Sequence, residues 1–444
     1  MQRLQMHSTC FVVCTSLVID LLAFTLILPL FPSIFDHYSR EDESGFYRFL
    51  DSKVQQFQHL VNAPNELNKV LFSGLLGSWF SLLQFLCSPF IGAFSDVFGR
   101  RVCLLFSLAA TLLSHMLWSL SGASFALFFV ARTVGGLSKA NVSLTTAIVT
   151  DVTSQENRSK AMALIGASFS VGFIVGPLLG AILSQWSTNP SQCASIVAIA
   201  LTSVNLLFVF FFFSESLSKE RRAKSIGKGL SQAYNYISPI SLFSFNPVQN
   251  IKQKDVHILR ETGWIYFLYL LLYSGLEYSL SFLTHLRFHF SSLQQGKMYF
   301  YCGLIMILVQ GTYVRIAAGH ELRTAAFGLL LIIPAFVLIG ISTDTYQLFS
   351  GLALYSFSSA TVVPCLTTIA SSNGPVDQKG TILGIFRSLG ALARALGPIL
   401  SAILFWKFGS VFCYCGGGFI LCIPLLYLRS LKVKLNAKKD LKSD

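Results

Sequence analysis

Charge is scarce in this chain. Of its 444 residues only 12% are Asp, Glu, Lys or Arg, against about 25% in an ordinary soluble domain. That shortage excludes a conventional water-soluble globule. A hydrophobic content of 53% and a mean hydropathy of +0.62 exclude intrinsic disorder as well. No GxxxxGK[ST] run is present, so nothing points to ATP hydrolysis, and no cofactor is indicated. The ten cysteines lie almost wholly in apolar runs and none falls within residues 35–66, so no disulfide framework is expected. Cys413 and Cys415 stand one residue apart, which is not a zinc spacing. His285 and His289 are four apart but lack a third ligand, so no metal site is assigned.

What the chain has is apolar length. A helix needs about 20 apolar residues to cross the hydrocarbon. Twelve runs meet that need: 10–34, 67–93, 102–122, 125–149, 161–185, 194–213, 263–286, 298–314, 324–341, 346–371, 381–406 and 410–428. The first is too long for the apolar region of a secretory signal, and Pro29 and Pro32 stand where a cleavage site needs small residues. It reads as an uncleaved span. The reading is an all-α, multi-pass membrane protein.

Charge placement then orients the spans. The net charge of +13 comes from 33 Lys and Arg against 20 Asp and Glu. On a soluble chain it would suggest nucleic acid; here its distribution argues for topology, and no nucleic-acid partner is expected. Residues 214–262 carry eight basic side chains against four acids, and the tail 429–444 six against two. With Arg3, Arg100, Arg101, Arg158, Lys160, Arg315, Arg323 and Lys379, one face collects 22 of the 33; the opposite loops hold six. Both termini and the central loop are expected in the cytoplasm, with the acidic loop 35–66 external or lumenal. The triplets Asn141-Val-Ser and Asn157-Arg-Ser then fall in a helix and a cytoplasmic loop, where neither is glycosylated.

The chain also repeats. A shift of 221 residues places Glu156-Asn157-Arg158 on Asp377-Gln378-Lys379 and Gly176-Pro177 on Gly397-Pro398. The same shift matches Ala181-Ile182-Leu183 with Ala402-Ile403-Leu404. Spans 5 and 11 are therefore the same helix built twice. The expected organisation is a six-helix half over 1–213, a linker loop over 214–262, a second half over 263–428 and a basic tail over 429–444. Two pseudo-symmetric halves are the transporter plan, with binding near the repeat interface.

Three motifs carry a resemblance. Gly92-Ala-Phe-Ser-Asp96-Val-Phe-Gly99-Arg100-Arg101 lies between spans 2 and 3, where glycines allow a tight turn and Asp96 can bond to a neighbouring helix end. It resembles the loop 2–3 signature of the major facilitator superfamily, a charge relay that gates the cytoplasmic side; Val97 departs from the usual Arg or Lys. Its counterpart in the second half, around Gly311, Arg315 and Gly319, is degenerate. Span 5 reads Gly172-Phe-Ile-Val-Gly176-Pro177-Leu-Leu-Gly180-Ala181 and resembles that superfamily's antiporter motif, with Ala181 where a second glycine is usual. Arg132 and Gly136 of span 4 resemble its proton-coupling motif. Asp20 with Pro29 and Pro32 in span 1 is similar to the twelve-span drug/proton exchangers that include bacterial tetracycline efflux proteins. Stretches 135–151, 274–298 and 380–398 resemble one branch of the superfamily in particular. That resemblance implies an organic-anion exchanger of broad specificity. Its substrates are small organic anions or amphiphilic drugs, exchanged for protons or a counter-anion. Its place is the cell membrane or internal membranes, the inner nuclear membrane among them.

Six ionisable residues lie inside expected spans: Asp20, Arg132, Lys139, Glu277, Arg387 and Arg394. An Asp, Lys or Arg at mid-bilayer costs about 2.5–3.5 kcal/mol on insertion scales, so such residues face the bundle interior or a wet cavity. Arg132 and Lys139 are seven apart, as are Arg387 and Arg394, which puts each pair on one helix face. By the family resemblance, spans 1, 4, 7 and 10 line the cavity, and Asp20, Arg132, Lys139 and Glu277 belong to it. Four positive charges against two negative favour anions. The plainer alternative is permanent ion pairing, for example Asp20 with Lys139, and Arg387 could reach the interface instead. A membrane enzyme would show clustered catalytic side chains near one interface, and none is evident. A receptor or scaffold that kept a transporter fold without transport is the remaining alternative.

Overall fold

A computed structural model describes residues 2–61, 68–153, 158–187, 189–222, 226–248, 253–314, 316–317, 319–375 and 378–431. Glu156, Asn157, Arg315, Asp377 and the tail from 432 lie outside the described residues, as do the side chains of Arg3, Arg158 and Lys160. Every regular element among the described residues is helical. Eight stretches have the length and apolarity of a span on their own. Expected spans 4, 7 and 8 are not among the eight, and 11 and 12 count as one. Spans 7 and 8 are helical but less apolar, and the other two differences are a break and a merger of helices. Span 4 is cut into two pieces, α6 (Phe125–Ser138) and α7 (Asn141–Val152), each short of a bilayer. Spans 11 and 12 run together as α16 (Lys379–Ile420), bent at Gly409, whose φ of 79° needs a residue without Cβ.

Span 1 is α1 (Gln2–Thr25), which gives way at Pro29 to a 3-10 turn (Leu28–Leu30) and then α2 (Phe31–Glu41). Residues 35–66, expected as a loop, are therefore largely helix, since α2 is followed by α3 (Phe46–Val61). An apolar stripe explains it: the buried Phe31, Ile34, Phe35 and Tyr38 share one face of α2. Spans 2, 3, 5 and 6 are α4 (Asn68–Phe98), α5 (Arg100–Leu120), α8 (Arg158–Trp186) and α9 (Pro190–Phe212). The central segment carries two short helices, α10 (Ile226–Asn235) and α11 (Pro239–Ser244). Span 7 is the long α12 (Gln253–Phe288), which begins ten residues before the expected start. Spans 8, 9 and 10 are α13 (Ser292–Val309, continued by a π-turn), α14 (Glu321–Ile341) and α15 (Thr345–Asn373).

The chain forms two compact units, Met1–Tyr234 with Ser281–Phe300, and Asn235–Leu280 with Tyr301–Asp444. In the first, α8 lies on α1. A Cβ at Gly172 would collide with Leu21, one at Gly176 with Thr25, and one at Gly180 with the Leu26 carbonyl. Thr25 Oγ1 then donates to Gly172 O at 2.9 Å. In the second unit the repeat does the same work. A Cβ at Gly397 would strike Ser274 and the Leu271 carbonyl, and one at Gly275 would meet Gly397 O at 2.7 Å. Gly176 and Gly397, matched by the sequence shift, each let the fifth helix of a repeat press onto the first.

Candidate functional site

Span 4 breaks where its charge sits. α6 ends at Ser138, and Lys139 (φ −77°, ψ 68°) and Ala140 (φ −109°, ψ 3°) leave helical geometry before α7 starts at Asn141. Lys139 thus lies at the C-terminal end of one helix, where the dipole favours a cation, beside the N-terminal end of another, which favours an anion. Lys139 Nζ donates to Asp20 Oδ2 of α1 at 2.6 Å; the two side chains are 5% and 1% exposed. Asn141 Nδ2 donates to Asp20 Oδ1 at 2.9 Å. Lys139 Nζ also lies 4.8 Å from the centre of the Phe24 ring. Removing one partner of such a pair strands the other, a cost of about 3–5 kcal/mol.

The break corrects one expectation. Because the helix stops between them, the seven-residue spacing does not put Arg132 and Lys139 on a single helical face. Arg132 is held by rings, 4.4 Å from the Phe80 centroid and 5.8 Å from that of Phe31. Both cations act electrostatically on His115 of α5, whose Nδ1 lies 3.0 Å from Thr202 Oγ1.

In the second unit, Glu277 of α12 is half-buried and Arg394 of α16 is its electrostatic neighbour. Arg394 is exposed on the described chain rather than buried within its helix, and Arg387 is half-buried. Both arginines lie within electrostatic reach of Tyr266. Tyr273 and Tyr355, both within electrostatic reach of Glu277, stack nearly parallel, with centroids 4.7 Å apart.

The loop between spans 2 and 3 is built around Arg100. Its Nη1 lies 2.6 Å from Asp96 Oδ1, its Nε 2.9 Å from Asp151 Oδ2 in α7, and it donates to Ser95 Oγ. Asp96 was expected to bond across to a neighbouring helix. It does so: Asp96, near the end of α4, bonds to Arg100 at the start of α5 across the break at Gly99, and Arg100 carries the link on to Asp151 of α7. Gly92 lies inside α4, not in the turn, and a Cβ there would meet open space. Gly99 is the hinge, with φ 105°. Glu215, which follows span 6, caps α5 by accepting from Arg100 N at 3.0 Å and Arg101 N at 3.2 Å. Arg101 donates to Phe210 O at 2.6 Å.

In α8 the glycines of the second motif seat that helix on α1, and Pro177 lies within it. Segment 281–300 reaches the same stretch: a Cβ at Gly296 would collide with Ala181 and stand 3.2 Å from Pro177 O.

Comparison with known proteins decides the family. The profile described as Major Facilitator Superfamily matches residues 13–398. The chain belongs to the major facilitator superfamily. It is 46% identical over 427 residues to human major facilitator superfamily domain-containing protein 10, covering 95% of this chain and 92% of that one. It is 25% identical over 362 residues to the class C tetracycline resistance protein of Escherichia coli, covering 80% and 86%. The crystal structure of the human organic anion transporter MFSD10 (TETRAN) superposes with a TM-score of 0.80 at 44% identity, covering 95% of this chain and 99% of that one. This major facilitator is thus a multi-pass membrane transporter and not an enzyme.

Four residues of this transporter's polar networks escaped the sequence reading: Ser107, Asn141, Asp151 and Glu215. Asn141 stood out only as part of a glycosylation-like triplet. An amide in an apolar run two residues from a buried lysine was the available signal. Asp151 and Glu215 sit at span ends, where an acid is ordinary, and no local pattern marks their partner.

Proposed function

We propose that this transporter exchanges organic anions by alternating access, with Asp20 and Lys139 as the coupled pair. The observation that carries the reading is the Lys139–Asp20 bond at the interruption of span 4. A cation paired this tightly holds an anionic substrate only when its carboxylate is neutralised or displaced. Protonation of Asp20 frees Lys139 for the substrate, and substrate release restores the internal pair. With a counter-anion in the proton's place, the two anions occupy Lys139 in turn. Glu277, the counterpart of Asp20 in the second repeat, is the alternative proton carrier, with Arg394 beside it. Arg132 adds to the attraction for anions. The human relative is an organic anion transporter, and the bacterial relative a tetracycline resistance protein, which supports small organic anions or amphiphilic drugs as cargo.

In this reading the halves 1–213 and 263–428 move about the site, joined by 214–262. The Asp96–Arg100–Asp151 cluster latches the cytoplasmic side, and the small residues of α8 form the sliding surface. Basic-residue placement supports cytoplasmic termini, including the tail 429–444, in the cell membrane or an internal membrane such as the inner nuclear membrane. The test is reconstitution into liposomes with labelled organic anions trapped inside. Efflux of the label driven by an external anion or a pH step, and made pH-independent by Asp20→Asn, is expected; no exchange from correctly folded protein defeats the proposal. Epitope tags check orientation: a tag in 35–66 should be reached from outside intact cells if the protein lies in the cell membrane, or shielded in cells whose plasma membrane alone is permeabilised if it lies in an internal one. A C-terminal tag should be reached only after permeabilisation in either case.

A further inference from the structure

The residue that holds the other oxygen of Asp20 sits in a hydrogen-bond chain with one proton too few. Ser107 Oγ of α5 lies against two acceptors, the Ser138 carbonyl and Asn141 Oδ1, the latter at 2.6 Å. A serine has one O–H and donates to one of them at a time. The neighbours supply no second proton: Thr111 Oγ1 donates to Ser107 O at 2.9 Å, and Ser138 Oγ to Gly135 O at 3.0 Å. The same heavy-atom positions therefore fit two complete arrangements, because the O and N of an amide exchange places when it flips.

With Asp20 ionised, Asn141 Nδ2 donates to Asp20 Oδ1, Ser107 donates to Asn141 Oδ1, and the Ser138 carbonyl goes without Ser107. With a proton on Asp20 Oδ1, that O–H donates to Asn141 Oδ1, the flipped Nδ2 donates to Ser107 Oγ, and Ser107 donates to the Ser138 carbonyl. We infer that Asn141 is a proton-responsive amide switch, a positioning residue that steers the coupling proton to Oδ1 of Asp20 and passes its arrival to the end of α6. The inference rests on Asp20 carrying the coupling proton. It explains why the break in span 4 is followed by an amide: Asn141 can donate to a carboxylate and accept from a carboxylic acid without moving its backbone. Oδ2 stays with Lys139, whose charge is released by the proton on the other oxygen. Among the described residues, Lys139 acts electrostatically on His115 of α5, and so does Arg132 from the same span. α4 contributes Ser88 Oγ, which donates to Lys139 O at 3.2 Å, and α9 contributes Asn205, which donates to Ser16 O at 3.0 Å.

The two arrangements predict opposite effects. Asn141→Leu removes a donor to the ionised carboxylate and an acceptor of the neutral acid. The charge-assisted bond is roughly twice as strong, so the pH midpoint of anion exchange should rise by about one unit. Ser107→Ala removes two bonds from the protonated arrangement and one from the ionised, so its midpoint should fall. The experiment is the pH profile of exchange for both variants in liposomes, with the infrared carbonyl band of protonated Asp20, assigned by its loss in Asp20→Asn. In Asn141→Leu that band should move to the frequency of a less bonded acid. If Asn141→Leu does not fold, Ser107→Ala and its band still decide. Shifts of equal sign, or no shift, while Asp20→Asn abolishes the pH dependence, overturn the amide switch alone. An unchanged pH profile in Asp20→Asn overturns the coupling role itself.

Discussion

Arg100 Nε reaches Asp151 Oδ2 at 2.9 Å and so ties the first turn of α5 to the last turn of α7. The Arg100 side chain is 9% exposed and that of Asp151 18%, whereas the side chain of Asp96, the other acid on Arg100, is 49% exposed. An exposed i,i+4 pair is worth about 0–1 kcal/mol, and a charge-assisted bond to a half-buried acid about 1.5–3. The weight of the latch therefore lies on Asp151.

Asp151→Asn should change the rate of conformational exchange several-fold more than Asp96→Asn, with both variants reaching the membrane in normal amount. Single-turnover exchange of labelled anion in liposomes measures it. A larger effect from Asp96→Asn would return the latch to the acid that the sequence motif singles out.

Lys139→Ala should leave the Asp20 carboxylate buried without its cation. The expected outcome is anion uptake reduced at least tenfold, a neutral amphiphile affected far less, and a loss of stability of about 3–5 kcal/mol. Lys139→Ala with Asp20→Asn should recover most of that stability and none of the anion uptake. Thermal unfolding of the purified transporter read beside uptake separates the two effects.

Gly176→Leu should expel α8 from α1, because its first added carbon already collides with Thr25. Overpacking of this kind costs about 1–3 kcal/mol or more. Gly397→Leu should do the same between α16 and α12. Comparable falls in melting temperature at the two positions are expected, and Gly92→Ala, which meets open space inside α4, should melt no lower than the unaltered protein.

Acid should loosen the α2–α3 hairpin. Burial pushes the Asp42 carboxyl up, but hydrogen bonds from Ser44 Oγ, Phe125 N, Tyr47 N and Ser44 N outweigh it and hold the group below its ordinary value. The folded state thus binds this proton more weakly than the unfolded state, whose carboxyl titrates near 3.9. Its stabilisation is present above about pH 4 and is lost as pH falls through the lower folded value. Melting temperature measured from pH 6 down to pH 3 should fall more steeply in the natural protein than in Asp42→Asn, which starts lower. Parallel curves would mean that Asp42 does not contribute.

The sequence by itself determined what depends on neighbours along the chain. A bilayer-length apolar run is a local quantity, so each expected span falls mainly on helix among the described residues, span 4 in two pieces. The 221-residue repeat marked the Gly176 and Gly397 packing before any contact was known, because close helix approach needs the same small residue in each copy. Asp20 and Lys139 were legible as costly intramembrane charges, and their pairing was one of two readings. Only the tertiary structure decided which partners such charges take. Neither Gly nor Pro stands at Lys139-Ala140, so nothing local announces the break in span 4; the bond from Lys139 to Asp20, 119 positions away, accompanies it. Asn141 meets Asp20 across 121 positions and Glu215 meets the start of α5 across 115. Hydrogen bonds and ion pairs between buried groups are set by which helices are brought side by side, and that is a property of the packed bundle.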